Sequence, residues 1–84
     1  SPRRVVFVGR IVPGKGWDIA LSASELLARE HPDLDFTLHI CGDGPQLDAL
    51  SERAASSPLA SRVVVHGRLD MPELAQLLSG SVLL

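Results

Sequence analysis

Arg10 and Lys15 are two cations five positions apart, in a stretch that also holds Gly9, Gly14 and Gly16. These residue types suit an anion. Arg offers a planar fork to two phosphate oxygens, and Lys contributes a compact point charge. Glycines let the backbone turn tightly and come close to a ligand. The chemistry they point to is binding of a phosphate or diphosphate. The plainer alternative is a tight turn whose cations are simply solvated.

Such a turn must be held by the elements on either side. Upstream, Val5, Val6, Phe7 and Val8 form a continuous apolar run, the pattern of a strand buried on both faces. Downstream, Ile19, Ala23, Leu26 and Leu27 recur at helical spacing, which predicts a helix over residues 18–30 with that face inward. Asp18 suits the start of this helix, Pro32 ends it, and His31 sits where the dipole favours a cation. A strand–turn–helix unit aims N–H groups and the positive end of a helix dipole at its own turn.

The pattern repeats along the chain. Residues 35–41 read as a second strand, with Phe36, Leu38 and Ile40 facing the core and Thr37, His39 and Cys41 on the other side. His39 and Cys41 have no further Cys or His at ligand spacing, so we expect a packed histidine and a buried thiol, and no metal. Gly42-Asp43-Gly44-Pro45 makes the second turn. Pro45 is expected at the first position of a helix over residues 45–55 that points Leu47, Leu50 and Ala54 inward. Leu47 stands where the third glycine of a G-x-G-x-x-G fingerprint belongs, so that fingerprint is incomplete. A third strand is expected over residues 62–66 and a third turn at Gly67-Arg68-Leu69. Asp70 and Glu73 form an Asp-x-x-Glu capping box that starts a helix carrying Leu74, Leu77 and Leu78, with Gly80 at its end. A fourth strand begins in residues 81–84.

The order β-α-β-α-β-α-β predicts an α/β fold with a Rossmann-like, doubly wound parallel sheet. Strand one should pair with strand two, strand three should lie outside strand two, and strand four should flank strand one. All three turns then share the carboxyl rim, where such sheets bind ligands. Arg68 on that rim reads as a solvated charge.

With 84 residues, the chain is long enough for one small domain. Its net charge of −2 gives no basic footprint for nucleic acid. No apolar run approaches the roughly 20 residues of a membrane span, and no signal-peptide pattern is present. One cysteine excludes an internal disulfide and makes a cytoplasmic setting the simplest expectation. Membrane association of a parent protein stays open. The chain stops inside an expected strand, so it reads as a piece of a larger protein.

Three motifs in order carry a resemblance. Gly9-Arg10-Ile11 followed by Lys15-Gly16 is similar to the G-R-[LI]-x-x-x-K-G signature of the group 1 (family 4) glycosyltransferases. Cys41-Gly42-Asp43-Gly44-Pro45 resembles their G-x-G-P turn, and Val65-His66-Gly67-Arg68-Leu69 resembles the next block. The likeness runs from residue 4 to residue 84. It implies a GT-B enzyme, of which residues 1–84 would be part of the C-terminal donor domain. Such a parent would transfer a sugar, hexosyltransferase-like and with retention, from a nucleotide-diphosphate sugar to a sugar, lipid or protein acceptor.

By the same resemblance, Arg10 and Lys15 stabilise the leaving diphosphate, and Gly9, Gly42, Gly44, Gly67 and Leu69 line the nucleotide site. The base would lie near residues 67–69, with no metal required. An N-terminal acceptor domain and a downstream Glu-x7-Glu motif would lie outside this chain, so the 84 residues alone should transfer no sugar. Trp17 stands where a smaller apolar residue is usual and reads as packing.

Two other classes fit parts of the chain. Residues 9–15 match G-x-x-x-x-G-K of a P-loop NTPase, although Gly16 replaces the Ser or Thr that would hold magnesium, and Pro13 removes an N–H. A Rossmann-like binding module without chemistry is the third reading.

Overall fold

The computed structural model describes residues 3–83. Strands β1 (Arg3–Val8), β2 (Phe36–Cys41), β3 (Val63–Gly67) and β4 (Val82–Leu83) alternate with helices α1 (Trp17–Glu30), α2 (Leu47–Ala55) and α3 (Met71–Leu78). A 3-10 turn, Ala60–Arg62, leads into β3. All strand pairs are parallel and their order is β3-β2-β1-β4, the Rossmann-like arrangement that the element order predicts. Leu84, the last residue of the expected fourth strand, lies outside the described residues, as do residues 1 and 2.

Alternating side chains give the sheet two packed faces. On one face, Leu38 and Ile40 of β2 meet Trp17 and Leu21 of α1 and Leu50 of α2, with Val5, Phe7, Val63 and Val65 at the margin. Complete burial of a residue such as Leu21 contributes about 1.5–3 kcal/mol. On the other face, Val6 and Cys41 pack on Leu77, with Leu69, Leu74 and Leu78 around them. The Asp70–Glu73 capping box sets α3 in place: the Glu73 N–H donates to Asp70 Oδ1 at 2.9 Å, and the Asp70 N–H donates to Glu73 Oε1 at 3.1 Å. Glu25 of α1 accepts two hydrogen bonds from the Arg53 guanidinium of α2 and one from Ser57. This pairing holds the Glu25 carboxyl down at about 2.

Three expectations need correction. The inward face of α1 is not the Ile19, Ala23, Leu26 stripe. Ile19 is 70% exposed and Leu26 46%, whereas Trp17, Ala20, Leu21 and Ser24 are buried. Ser24 tolerates burial because its hydroxyl donates to the Ala20 carbonyl at 2.8 Å. Pro45 does not begin α2. The turn closes first, through Gln46 N–H to Ile11 O and Leu47 N–H to Gly44 O, and the helix starts at Leu47. Finally, β1 is not buried throughout. Val8 is 40% exposed, because α3 covers Val6 and leaves the carboxyl end of that face open.

Candidate functional site

The open end of the sheet is where the three turns meet. Backbone hydrogen bonds join the first turn to the second: Gly9 N–H donates to Cys41 O, and Ile11 N–H donates to Asp43 O, each at 3.1 Å. The second turn joins the third through Gly42 N–H to Gly67 O at 2.8 Å. Ile11 is fully buried in the α1–α2 face and anchors the start of the first turn. Its neighbour Arg10 is left exposed at the rim.

This close seam requires glycine. A Cβ on Gly42, whose φ is +146°, would stand 1.7 Å from Gly9 O, and one on Gly44 would stand 2.5 Å from Ile11 O. The first turn is loose by comparison. Gly14, at φ +79°, has nothing within 4 Å of its absent Cβ. Gly16, at φ +89°, precedes α1, whose start carries no side-chain cap. The first N–H groups of α1 therefore have no side-chain acceptor at the point where Lys15 is exposed. Among the described residues, Arg10, Lys15 and Arg68 form no side-chain hydrogen bond or salt bridge.

A cavity of about 420 Å³ occupies the rim. The end of β1 gives it Val8, Gly9 and Arg10, and the end of β2 gives it Cys41, Gly42 and Asp43. The third turn adds Arg68 and Leu69, and α3 adds Leu74. Of the residues picked out by sequence, Gly9, Arg10, Gly42 and Leu69 line this cavity. Lys15, Gly44 and Gly67 do not, although each belongs to a turn that frames it. Arg68 and Asp43 line it without having been singled out as ligand-binding. The strand order was the signal for Arg68, since it puts the third turn beside the second.

Burial pushes the Cys41 thiol up, so it is an unreactive part of the wall. A larger hollow of about 540 Å³ lies around Leu27 and residues 30–34, where α1 leads into β2. It faces the amino end of β2, away from the rim on which parallel sheets place their ligands.

On the α3 side of the sheet, His39 Nδ1 and His66 Nε2 share a hydrogen bond of 2.8 Å, and Thr37 Oγ1 lies 3.0 Å from His39 Nε2. The two rings stack with centroids 5.0 Å apart. Burial first, then the charges of His66 and Arg4, lowers the His39 pKa. His39 is thus the packed, hydrogen-bonded histidine that its strand position predicts. Among the described residues, no group of three or more His, Cys, Asp or Glu is placed to hold a metal ion. No helix there is long and apolar enough to cross a membrane.

Comparison with known proteins gives the family. A profile of the family described as glycosyl transferases group 1 matches residues 2–84. The 2-deoxystreptamine N-acetyl-D-glucosaminyltransferase of Niallia circulans is 37% identical over 65 residues, covering 77% of this chain and 16% of that protein. Glycogen synthase of Mycobacterium tuberculosis (strain CDC 1551 / Oshkosh) is 36% identical over 78 residues, 93% of this chain and 18% of that protein. The chain thus spans less than a fifth of either relative. A crystal structure of a TarM mutant from S. aureus, in complex with fondaparinux, alpha-GlcNAc-glycerol and UDP, superposes with a TM-score of 0.74. It is 23% identical and covers 88% of this chain and 15% of that one, so it supports the fold.

Proposed function

The chain belongs to the group 1 glycosyltransferases, and on that premise we propose that residues 1–84 form part of the donor-binding domain of a longer enzyme. The observation that carries this reading is Arg10 in the wall of the cavity at the carboxyl rim, on the turn that also carries Lys15 and leads into the uncapped start of α1. The names of these relatives point to different acceptors, 2-deoxystreptamine and glycogen, so the element they have in common with this chain is better assigned to the donor than to the acceptor. UDP in the TarM complex is consistent with a nucleotide-diphosphate sugar as that donor.

The reaction follows from the charges. The bond between the anomeric carbon and the β-phosphate oxygen breaks, and the oxygen leaves with the electron pair. An acceptor hydroxyl oxygen bonds to the same carbon, and its proton passes to the departing diphosphate oxygen. Negative charge builds on the departing diphosphate, so cations held nearby stabilise the transition state more than the ground state. Arg10 grips two phosphate oxygens, Lys15 places a point charge, and the first N–H groups of α1 add their dipoles. Together they take the place of a divalent metal. The base lies toward residues 67–69, and transfer proceeds with retention, as the family resemblance implies.

Two substitutions in the full-length enzyme test this. Arg10→Ala and Lys15→Ala should each lower kcat/KM roughly a hundredfold, about 3 kcal/mol. Melting should change by less than about 0.5 kcal/mol, because both side chains are exposed. Lys15→Arg should not restore full activity. Unchanged turnover in both alanine variants, with normal melting, would remove the diphosphate clamp.

A further inference from the structure

Two histidines behind the rim are bonded to each other at the point where the β2–β3 ladder breaks. The parallel register pairs Leu38 with Val63, His39 with Val64 and Ile40 with Val65, then skips to Cys41 with Gly67. His66 is the extra residue, a bulge of a kind uncommon between parallel strands and frequent beside active sites. Its ring reaches back to His39, with Nε2 2.8 Å from His39 Nδ1 and the two rings stacked. This side-chain bond ties the strands where the backbone register does not. The next residue, Gly67, turns at φ +70° and accepts the Gly42 N–H at 2.8 Å. Arg68 and Leu69 follow it into the cavity wall. The position of that wall therefore depends on how the bulge is held.

The bond between the rings limits the protons they carry. One imidazole nitrogen must bear a hydrogen and the other a lone pair. A neutral pair satisfies this, and so does a pair with one added proton, in which an imidazolium donates to a neutral ring. A second added proton sets N–H against N–H across 2.8 Å and breaks the bond. The surroundings do not offset that charge. On β2, Thr37 Oγ1 lies 3.0 Å from His39 Nε2 and is uncharged. Arg4 of β1 lines a hollow beside His66, together with Glu73 and Gln76 of α3. Among the described residues Glu73 is the one carboxylate lining it, and its Oε1 already accepts the Asp70 N–H. Burial first, then the charges of His66 and Arg4, oppose a proton on His39.

Resting on the donor-site reading above, we propose that His39 and His66 are positioning residues whose bond pins the β3 bulge, and with it the third turn of the donor cavity, until a second proton on the pair releases both. Nucleotide binding is thereby weakened in acid.

The test compares the full-length enzyme at about pH 7.5 and about pH 5.5, on either side of the usual histidine value. Hydrogen exchange read by mass spectrometry, corrected for its intrinsic pH dependence, follows residues 64–69 without ligand. Calorimetry follows the tightest binder among uridine, guanosine and adenosine diphosphates. In the native enzyme, protection of residues 64–69 should fall about fivefold at the lower pH, the factor expected for one lost hydrogen bond. His66→Gln places an amide near the position of Nε2 that hydrogen-bonds but does not titrate, so protection should be kept at both pH values. His66→Ala should be poorly protected at both. Affinity should fall in acid about fivefold more in the native enzyme than in His66→Gln, which reports protonation of the nucleotide alone. Equal native protection at the two pH values, or a His66→Gln enzyme that loses protection as the native does, would overturn the proposal. Affinities that fall equally in the two enzymes would break the link to the cavity and overturn it as well. The expected exchange with no nucleotide bound at either pH would support the pin and remove the donor reading.

Discussion

The first and second turns of this chain are both glycine-rich strand-to-helix connections, yet glycine does opposite work in them. At Gly42 and Gly44 it permits two backbones to touch, where a Cβ would meet Gly9 O at 1.7 Å and Ile11 O at 2.5 Å. At Gly14 it permits a left-handed φ of +79° in open space. The second turn is therefore a structural seam that locks the rim. The first is a loose loop, anchored at one end by buried Ile11, that holds its cations out to solvent. A shared residue type does not imply a shared role, and the space around the missing Cβ separates the two.

Substitution by alanine is the sharpest way to break that comparison. Gly42→Ala should cost about 4 kcal/mol or more, because carbonyl overlap and positive φ act together. Gly44→Ala should cost somewhat less, about 2–4 kcal/mol, from backbone contact alone. Gly14→Ala should cost only about 1 kcal/mol, the strain of a non-glycine residue in the left-handed region. Urea melts of the three variants check the order. A Gly42→Ala protein as stable as Gly14→Ala would remove the distinction between the turns.

Smaller effects come from the titrating groups behind the rim, and their pH windows differ. The His39 pKa is lowered in the fold, so the unfolded chain takes up its proton first as pH falls through about 6.5, and stability declines toward acid in that range. His39→Gln should flatten melting temperature against pH between roughly 7.5 and 5.5. Glu25 is held at about 2, below the 4.5 usual for a glutamate carboxyl, by Arg53 first and then Ser57. Its contribution is fully present above 4.5 and is lost as pH falls from there toward about 2. Arg53 is 37% exposed, so solvent screening keeps the pair below about 1 kcal/mol. Glu25→Gln should remove the acid slope in that lower window while leaving the His39 window intact.

How much of this was legible in the sequence varies with the physics involved. The parallel order β3-β2-β1-β4 followed from crossover rules and the alternation of elements. The capping box of α3 followed from local hydrogen-bond chemistry, which needs no tertiary context. The inward face of α1 did not follow, because that helix carries apolar residues on two stripes. The stripe that won contains Ser24, whose polarity counts against burial until its hydrogen bond to Ala20 O is seen. Arg68 was placed on the rim by the strand order but read there as a solvated charge. A lone arginine after a strand has no local signature, and its value lies in facing the same cavity as Arg10 from two strands away.

The central claim is that the loose first turn, and not the locked second one, grips the donor diphosphate. The most direct measurement is a crystal structure of the full-length enzyme with a bound nucleoside diphosphate. The expected result is phosphate oxygens within about 2.7–3.2 Å of the Arg10 guanidinium and Lys15 Nζ, with Lys15 drawn toward the cavity. A diphosphate seated in the hollow around residues 30–34, or held at the rim with both cations still turned to solvent, would contradict it.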